Sequence, residues 1–187
     1  MSDAAAPEVQ EAEAAPPPPP ELFGCPFDES TGQAVVFVPL DQYAAFAKRL
    51  VDESYTMCSD LTAVDYLNLP GRRLPAHVRA SGIQPERFEL VLNVLSMSQH
   101  HRLRVRVQVA ADATTVPSVF DQWPGTEAME REVFDMFGIT FDGHPDLSRI
   151  LMPEDWDGHP LRKDYEVGSI PVQFSPDVRP VQIRSRP

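Results

Sequence analysis

The part of this sequence richest in chemistry-bearing side chains runs from residue 130 to residue 165. Glu130, Glu132 and Asp135 lie within one helical pattern, and Glu132 and Asp135, three apart, share a face with Glu130 to one side. Like carboxylates at that spacing raise each other's pKa, which is the condition for acid/base work. Such work also needs a reacting partner, and the sequence has no G-x-S-x-G, no GxGxxG, no Walker loop and no C-x-x-C. His144 and His159 are fifteen apart, each directly before a proline, with no third ligand at regular spacing. His100 and His101 are adjacent, and neighbouring residues of an extended chain point to opposite faces. A solvated turn pair fits His100 and His101, and hydrogen-bonding loop histidines fit His144 and His159, better than metal ligands do. A stand-alone acid/base hydrolase using Glu130, Glu132 and Asp135 is the distant alternative, and it requires turnover by the purified chain.

Several elements must position these side chains. Met129, Val133, Met136 and Phe137 recur at helical spacing, Thr126 stands where an N-cap would, and Gly138 where a helix ends. Upstream, residues 34–38 form a β-branched run closed by Pro39. Asp41 then occupies a cap position before apolar Tyr43, Phe46, Ala47, Leu50 and Val51, so a strand leads into an amphipathic helix. Residues 55–67 read as extended and 69–85 as a loop rich in Pro, Gly and Arg. Residues 88–97 are apolar on both faces, whereas Leu103, Val105, Val107 and Val109 alternate with Arg102, Arg104, Arg106 and Gln108. That pattern predicts a hairpin whose first strand is central and whose second is half-solvated. The arginine stripe either faces solvent or docks an acidic neighbour. A short helical stretch is expected between Pro117 and Trp123. The order of elements gives the α+β class: an antiparallel or mixed sheet with helices packed on one face.

A length of 187 residues accommodates one ordinary domain with tails. No apolar run approaches the ~20 residues that cross a bilayer. The formal charge of −12 opposes affinity for a phosphate backbone. Residues 1–21, composed mainly of Ala, Glu and Pro, lack the apolar mass to fold and read as a disordered tail, with neither signal nor transit character. A cytoplasmic setting follows, and Cys25 and Cys58 fit a reduced compartment better than a disulfide scaffold, with a single bridge between them as the alternative. The expected organisation is a tail at 1–21, a globular domain at 22–138 and an extended arm at 139–187. The arm is dense in proline and poor in periodicity, yet it carries Trp156, Leu161, Tyr165 and Ile170. Structureless stretches of this length are uncommon in compact domains, and an arm laid across a partner, which would supply its burial and hydrogen bonds, explains both features.

Residues 130–165 also carry a resemblance. Glu130-Arg131-Glu132, Asp135-Met136 and Gly138-Ile139 end the helix. Phe141, Gly143-His144-Pro145-Asp146-Leu147 and Arg149-Ile150-Leu151 follow, and Asp155-Trp156, Gly158 and Pro160-Leu161-Arg162-Lys163-Asp164-Tyr165 close the stretch. This order resembles the 30-kDa subunit family of the proton-pumping NADH dehydrogenases, respiratory complex I. The likeness is weaker over 34–125, and Ala128-Met129 stand where the family often has an aromatic. The resemblance implies a non-catalytic structural subunit of the hydrophilic arm of a membrane-bound NADH:quinone oxidoreductase. It implies no cofactor in this chain, with FMN, iron-sulfur clusters and quinone held by partner subunits. It places the chain beside the large quinone-site subunit and neighbouring iron-sulfur subunits, peripheral on the cytoplasmic side of the cell membrane. Glu130, Arg131, Glu132 and Asp135 would form an acidic helix face at that interface, and His144, Asp146, Arg149, Asp155, Trp156, His159, Arg162, Lys163, Asp164 and Tyr165 the connecting arm. The equivalent subunit of a membrane hydrogenase, a coenzyme F420 dehydrogenase or a photosynthetic-type quinone oxidoreductase is the close alternative.

Overall fold

The computed structural model of the chain describes residues 20–30 and 32–166. Most of the tail expected at 1–21, and the end of the arm from residue 167 on, lie outside the described residues. Strands β1 (Glu21–Leu22), β2 (Cys25–Ser30) and β3 (Gln33–Phe37) lead into helix α1 (Tyr43–Asp52). Strand β4 (Met57–Asp65), helix α2 (Ala76–Ala80) and the hairpin of β5 (Phe88–Ser96) and β6 (His101–Val109) follow. Strand β7 (Thr115–Pro117), helix α3 (Glu127–Phe137) and strand β8 (Thr140–Asp142) complete the set. The six-stranded sheet has the order β1-β2-β3-β6-β5-β4 and is mixed, because β3 runs parallel to β6 while its other pairings are antiparallel. Strands β7 and β8 pair in parallel as a small second sheet.

The fold is thus α+β, with its two long helices over one face. Tyr43, Phe46 and Leu50 of α1 and Val133, Met136 and Phe137 of α3 share a core with Val36, Leu61, Leu90, Leu92, Val105 and Val107 of the sheet. Alternation along β3 sends Val36 to this core and Val35 and Phe37 to the other face. There Leu74, Val78 and Ile83, from the stretch between β4 and β5, bury them in a second small core.

The second face therefore corrects the half-solvated reading of the hairpin's second strand. Both β5 and β6 are interior, and Glu89, fully buried, accepts from Arg72, Arg106 (2.7 Å from Nε) and Gln108 (2.5 Å). Arg104 donates to Asn93 at 3.1 Å. Part of the apparently solvated stripe is thus spent on its own sheet, because the proline-rich loop folds over it. Neither expected cap forms: a single 3-10 turn, Leu40–Gln42, precedes α1 with Asp41 inside it, and the Thr126 hydroxyl donates to the Trp123 carbonyl instead of capping α3. Gly138 does end α3 in the left-handed region, φ +71°, with its N–H on the Phe134 carbonyl. The boundary drawn at 138/139 falls inside the packed region. Ile139 and Phe141 are core residues, and β8 is held by β7, so the irregular stretch begins only after Asp142.

Candidate functional site

Helix α3 does not present its acids as one face. Glu130 and Asp135 are fully buried, whereas Glu132 is exposed. Glu130 accepts from the Ser118 hydroxyl (2.6 Å) and the Val119 N–H (2.9 Å), fastening the turn after β7. Burial pushes its carboxyl above the usual range, opposed by those donors. Asp135 faces the other way along the chain. Its Oδ2 accepts the N–H groups of Ile150 (3.2 Å), Leu151 (2.8 Å) and Met152 (2.8 Å), and Oδ1 pairs with Arg149 at 2.5 Å. Burial alone would raise its pKa, but the Met152 and Leu151 N–H groups, Arg149 and the Ile150 N–H outweigh it and hold the carboxyl below the usual range.

The end of α3 is closed by the same arm. A helix leaves its last carbonyls without intrahelical donors. Here His159 Nδ1 donates to the Asp135 carbonyl (2.9 Å), the Leu161 N–H to that of Met136 (3.0 Å) and Arg162 Nε to that of Phe137 (2.5 Å). Burial lowers the His159 pKa, only partly opposed by that bond, and Arg162 and Arg149 lower it further, so a neutral Nδ1–H imidazole fits the site. Gly138 is needed twice over: for its positive φ, and because a Cβ there would stand 2.5 Å from Arg162 Nη2 and 2.6 Å from His159. Earlier along the arm, Arg131 donates to Ser148 and to the Arg149 carbonyl, and His144 Nε2 lies 3.1 Å from the Glu127 carbonyl. Later, the Lys163 N–H donates to Asp65 (2.9 Å), and Arg87 bridges Asp65 and Asp164.

The expected reliance on a partner for the arm's hydrogen bonds is therefore corrected as far as Glu166: residues 143–166 obtain them from α3, β4 and Arg87, just before β5. Of the residues singled out in sequence, Arg131, Asp135, His144, Arg149, His159, Arg162, Lys163 and Asp164 are brought together in this clamp. Glu130 serves a different loop. Glu132, Asp146 and Asp155 stand exposed, and Trp156 and Tyr165 are half-buried. The Trp156 indole N–H is buried with no acceptor among the described residues. Asp65, Arg87 and Ser148 complete the clamp, and Ser118 the Glu130 loop, unannounced by any spacing, since they lie far from their partners in sequence. The clamp leaves Ile150, Leu151 and Leu161 exposed at 41%, 57% and 47%. Among the described residues no group of three or more His, Cys, Asp or Glu could hold a metal, and no helix is long and apolar enough to cross a membrane.

The family model for the respiratory-chain NADH dehydrogenase 30 Kd subunit matches residues 36–170, from β3 through the whole described arm. The chain belongs to that family. Among relatives of the 30 Kd subunit, an NADH-quinone oxidoreductase subunit of Bordetella petrii is 40% identical over 159 residues, covering 82% of this chain and 76% of that protein. Its counterpart in Roseiflexus castenholzii is 42% identical over 150 residues, covering 79% and 78%. That of Saccharopolyspora erythraea is 40% identical over 146 residues, and the chain spans about half (53%) of its length. Among solved structures, the trypsin-resistant fragment (1-134) of Nqo5 superposes with a TM-score of 0.58 at 31% identity, covering 66% of this chain and 90% of that one. A chain of the membrane-bound sulfane sulfur reductase, an archaeal respiratory membrane complex, gives 0.61 at 21% identity over 76% and 77% of the two chains, a likeness of fold alone.

Proposed function

We propose that this 30 Kd-family chain is a structural subunit of an NADH:quinone oxidoreductase and that residues 143–166 are its docking arm. In this reading it holds the large quinone-site subunit and the neighbouring iron-sulfur subunits together, so that electrons pass from NADH to quinone coupled to proton translocation. FMN, iron-sulfur clusters and quinone belong to those partners, and the chain sits peripherally on the cytoplasmic side of the membrane.

The observation that carries this reading is the combination of a rigidly clamped arm with apolar side chains that the clamp leaves uncovered. Isolated exposed apolar residues are ordinary. Here Ile150, Leu151 and Leu161 sit on backbone tied to consecutive residues of α3, Asp135 and Met136, so they are pre-organised, which lowers the entropic cost of association. The buried acids do not favour acid/base catalysis: Glu130 and Asp135 are both occupied by donors and face different segments. The fold shared with a chain of the sulfane sulfur reductase keeps one second reading alive, an equivalent subunit in a complex fed by another electron donor.

A mild-detergent purification of the tagged chain from membranes, with mass spectrometry of what accompanies it, tests both. Flavin- and cluster-bearing NADH-input subunits together with a large quinone-site subunit are expected. Recovery of quinone-site subunits with hydrogenase-type or other input subunits would select the second reading, and recovery of the chain alone would overturn the docking role.

A further inference from the structure

The arm uses its basic and acidic residues differently. Arg149 and Arg162 turn inward, onto Asp135 and onto the carbonyls that end α3. Asp146, Glu154, Asp155 and Asp157 are exposed and make no ion pair with any described residue, and Lys163 is the arm's one exposed base among the described residues. Over residues 143–166 six acids stand against three bases, and with Arg149 and Arg162 turned inward the outer surface is acidic. Beside these acids lies an open hollow of about 330 Å³ walled by Asp157, Gly158, Asp164, Tyr165 and Glu166. Asp164 spends Oδ1 on Arg87 and is still 49% exposed, so a lone pair remains for a second donor. Gly158 keeps the hollow open on one side, since a Cβ there would stand 2.8 Å from the Tyr165 ring. Carboxylates beside an aromatic face suit a guanidinium, which can pair with the first and stack on the second.

We infer that the outer face of the arm receives a basic partner surface, with an arginine side chain of the partner seated between Asp157, Asp164 and Tyr165 and apolar groups of the partner on Ile150, Leu151 and Leu161. The inference rests on the docking role proposed above and gives the chemistry of the partner. Opposite charges around an apolar contact set the encounter rate and the register more than the final affinity, so association is fast at low salt and slows as salt rises.

The test is reassembly of the purified full-length chain onto membranes from cells lacking it, followed by bound chain and NADH:quinone reductase activity across a salt series. The triple variant E154Q/D155N/D157N removes charges that make no described ion pair within the chain. It is expected to rebind about tenfold more slowly at low salt and to lose most of the salt dependence. Unchanged rebinding with the wild-type salt response overturns the inference. The variant L151S/L161S separates this from the underlying reading. If it fails to rebind while the triple variant behaves as wild type, the arm docks on a partner that is not basic. If it too rebinds normally, the arm is not the docking element. Circular dichroism and thermal melts of the free variants confirm that each is folded.

Discussion

Two proline- and glycine-rich stretches of this chain, residues 66–87 and residues 143–166, are built on the same device and reach opposite outcomes. Each crosses the folded domain with little regular structure, and each is fixed by a fully buried carboxylate on a regular element: Glu89 of β5 for the first and Asp135 of α3 for the second. Each carboxylate takes an arginine from the irregular stretch, Arg72 or Arg149. The first stretch buries Leu74, Val78 and Ile83 against Val35 and Phe37, while Leu67 and Leu69 at its start stay exposed. The second leaves Ile150, Leu151 and Leu161 uncovered. A clamp of this kind therefore fixes backbone but does not determine what the stretch is for. Where its apolar side chains go separates a lid over the sheet from a surface offered to something else.

The largest effect expected is on the clamp. Asp135→Ala strips the acceptor from three N–H groups and leaves Arg149 without its ion-pair partner, at a cost of about 3–5 kcal/mol. Hydrogen exchange should show residues 148–162 losing protection while β5 and β6 keep theirs. If the whole domain melts together instead, the arm is integral to the core and the contrast between the two stretches collapses. Leu74→Ala should destabilise the entire domain by about 2–5 kcal/mol in a denaturant titration, because it opens a cavity in the second core. Gly138→Ala imposes a left-handed residue and a clash with Arg162 and His159. We expect a loss of about 1–3 kcal/mol confined to the arm, read by the same exchange experiment.

Acid should affect the arm before the core. The His159 pKa is lowered below 6.5 in the folded state, so its contribution is present above 6.5 and lost as pH falls through the folded value. The Asp135 carboxyl, held below 3.8, gives up its contribution only in stronger acid. Protease susceptibility of residues 143–166 should thus rise as pH falls below about 6.5, and His159→Gln should flatten that rise. The smallest effect on stability is expected from Leu151→Ser, within about 0.5 kcal/mol for the free chain. Its assembly into membranes should nevertheless fall, whereas the Leu74→Ala protein, compared at equal amounts of folded chain, should assemble normally.

Much of the fold was legible in the sequence because periodicity reports burial. The two long helices, the hairpin and the glycine that ends α3 all follow from it. The second layer was not legible. Arg106 and Gln108 alternate with valines as solvated residues do, and nothing local reveals that Arg72, far upstream, shares Glu89 with them. Asp135 shows the same limit. At three residues from Glu132 it reads as half of an exposed acidic pair, and only the return of Ile150–Met152 to its carboxylate explains why it is buried. Helical spacing names the neighbours of a side chain along its own element and is blind to what folds back onto it.

The anchors of the arm have a further consequence, for timing. Every one of them is a product of prior folding: a carboxylate oriented by α3, three carbonyls that are free only because α3 has ended there, and Asp65 at the end of a strand already paired with β5. The arm also leaves the ribosome after all of these elements. It can order only on a domain that has already folded, so under the proposed docking role a misfolded or half-made chain would carry no surface for a partner to capture. Under the proposed docking role, the clamp would act as a checkpoint in biogenesis, admitting to assembly only those copies whose α3 and β4–β5 edge are in place.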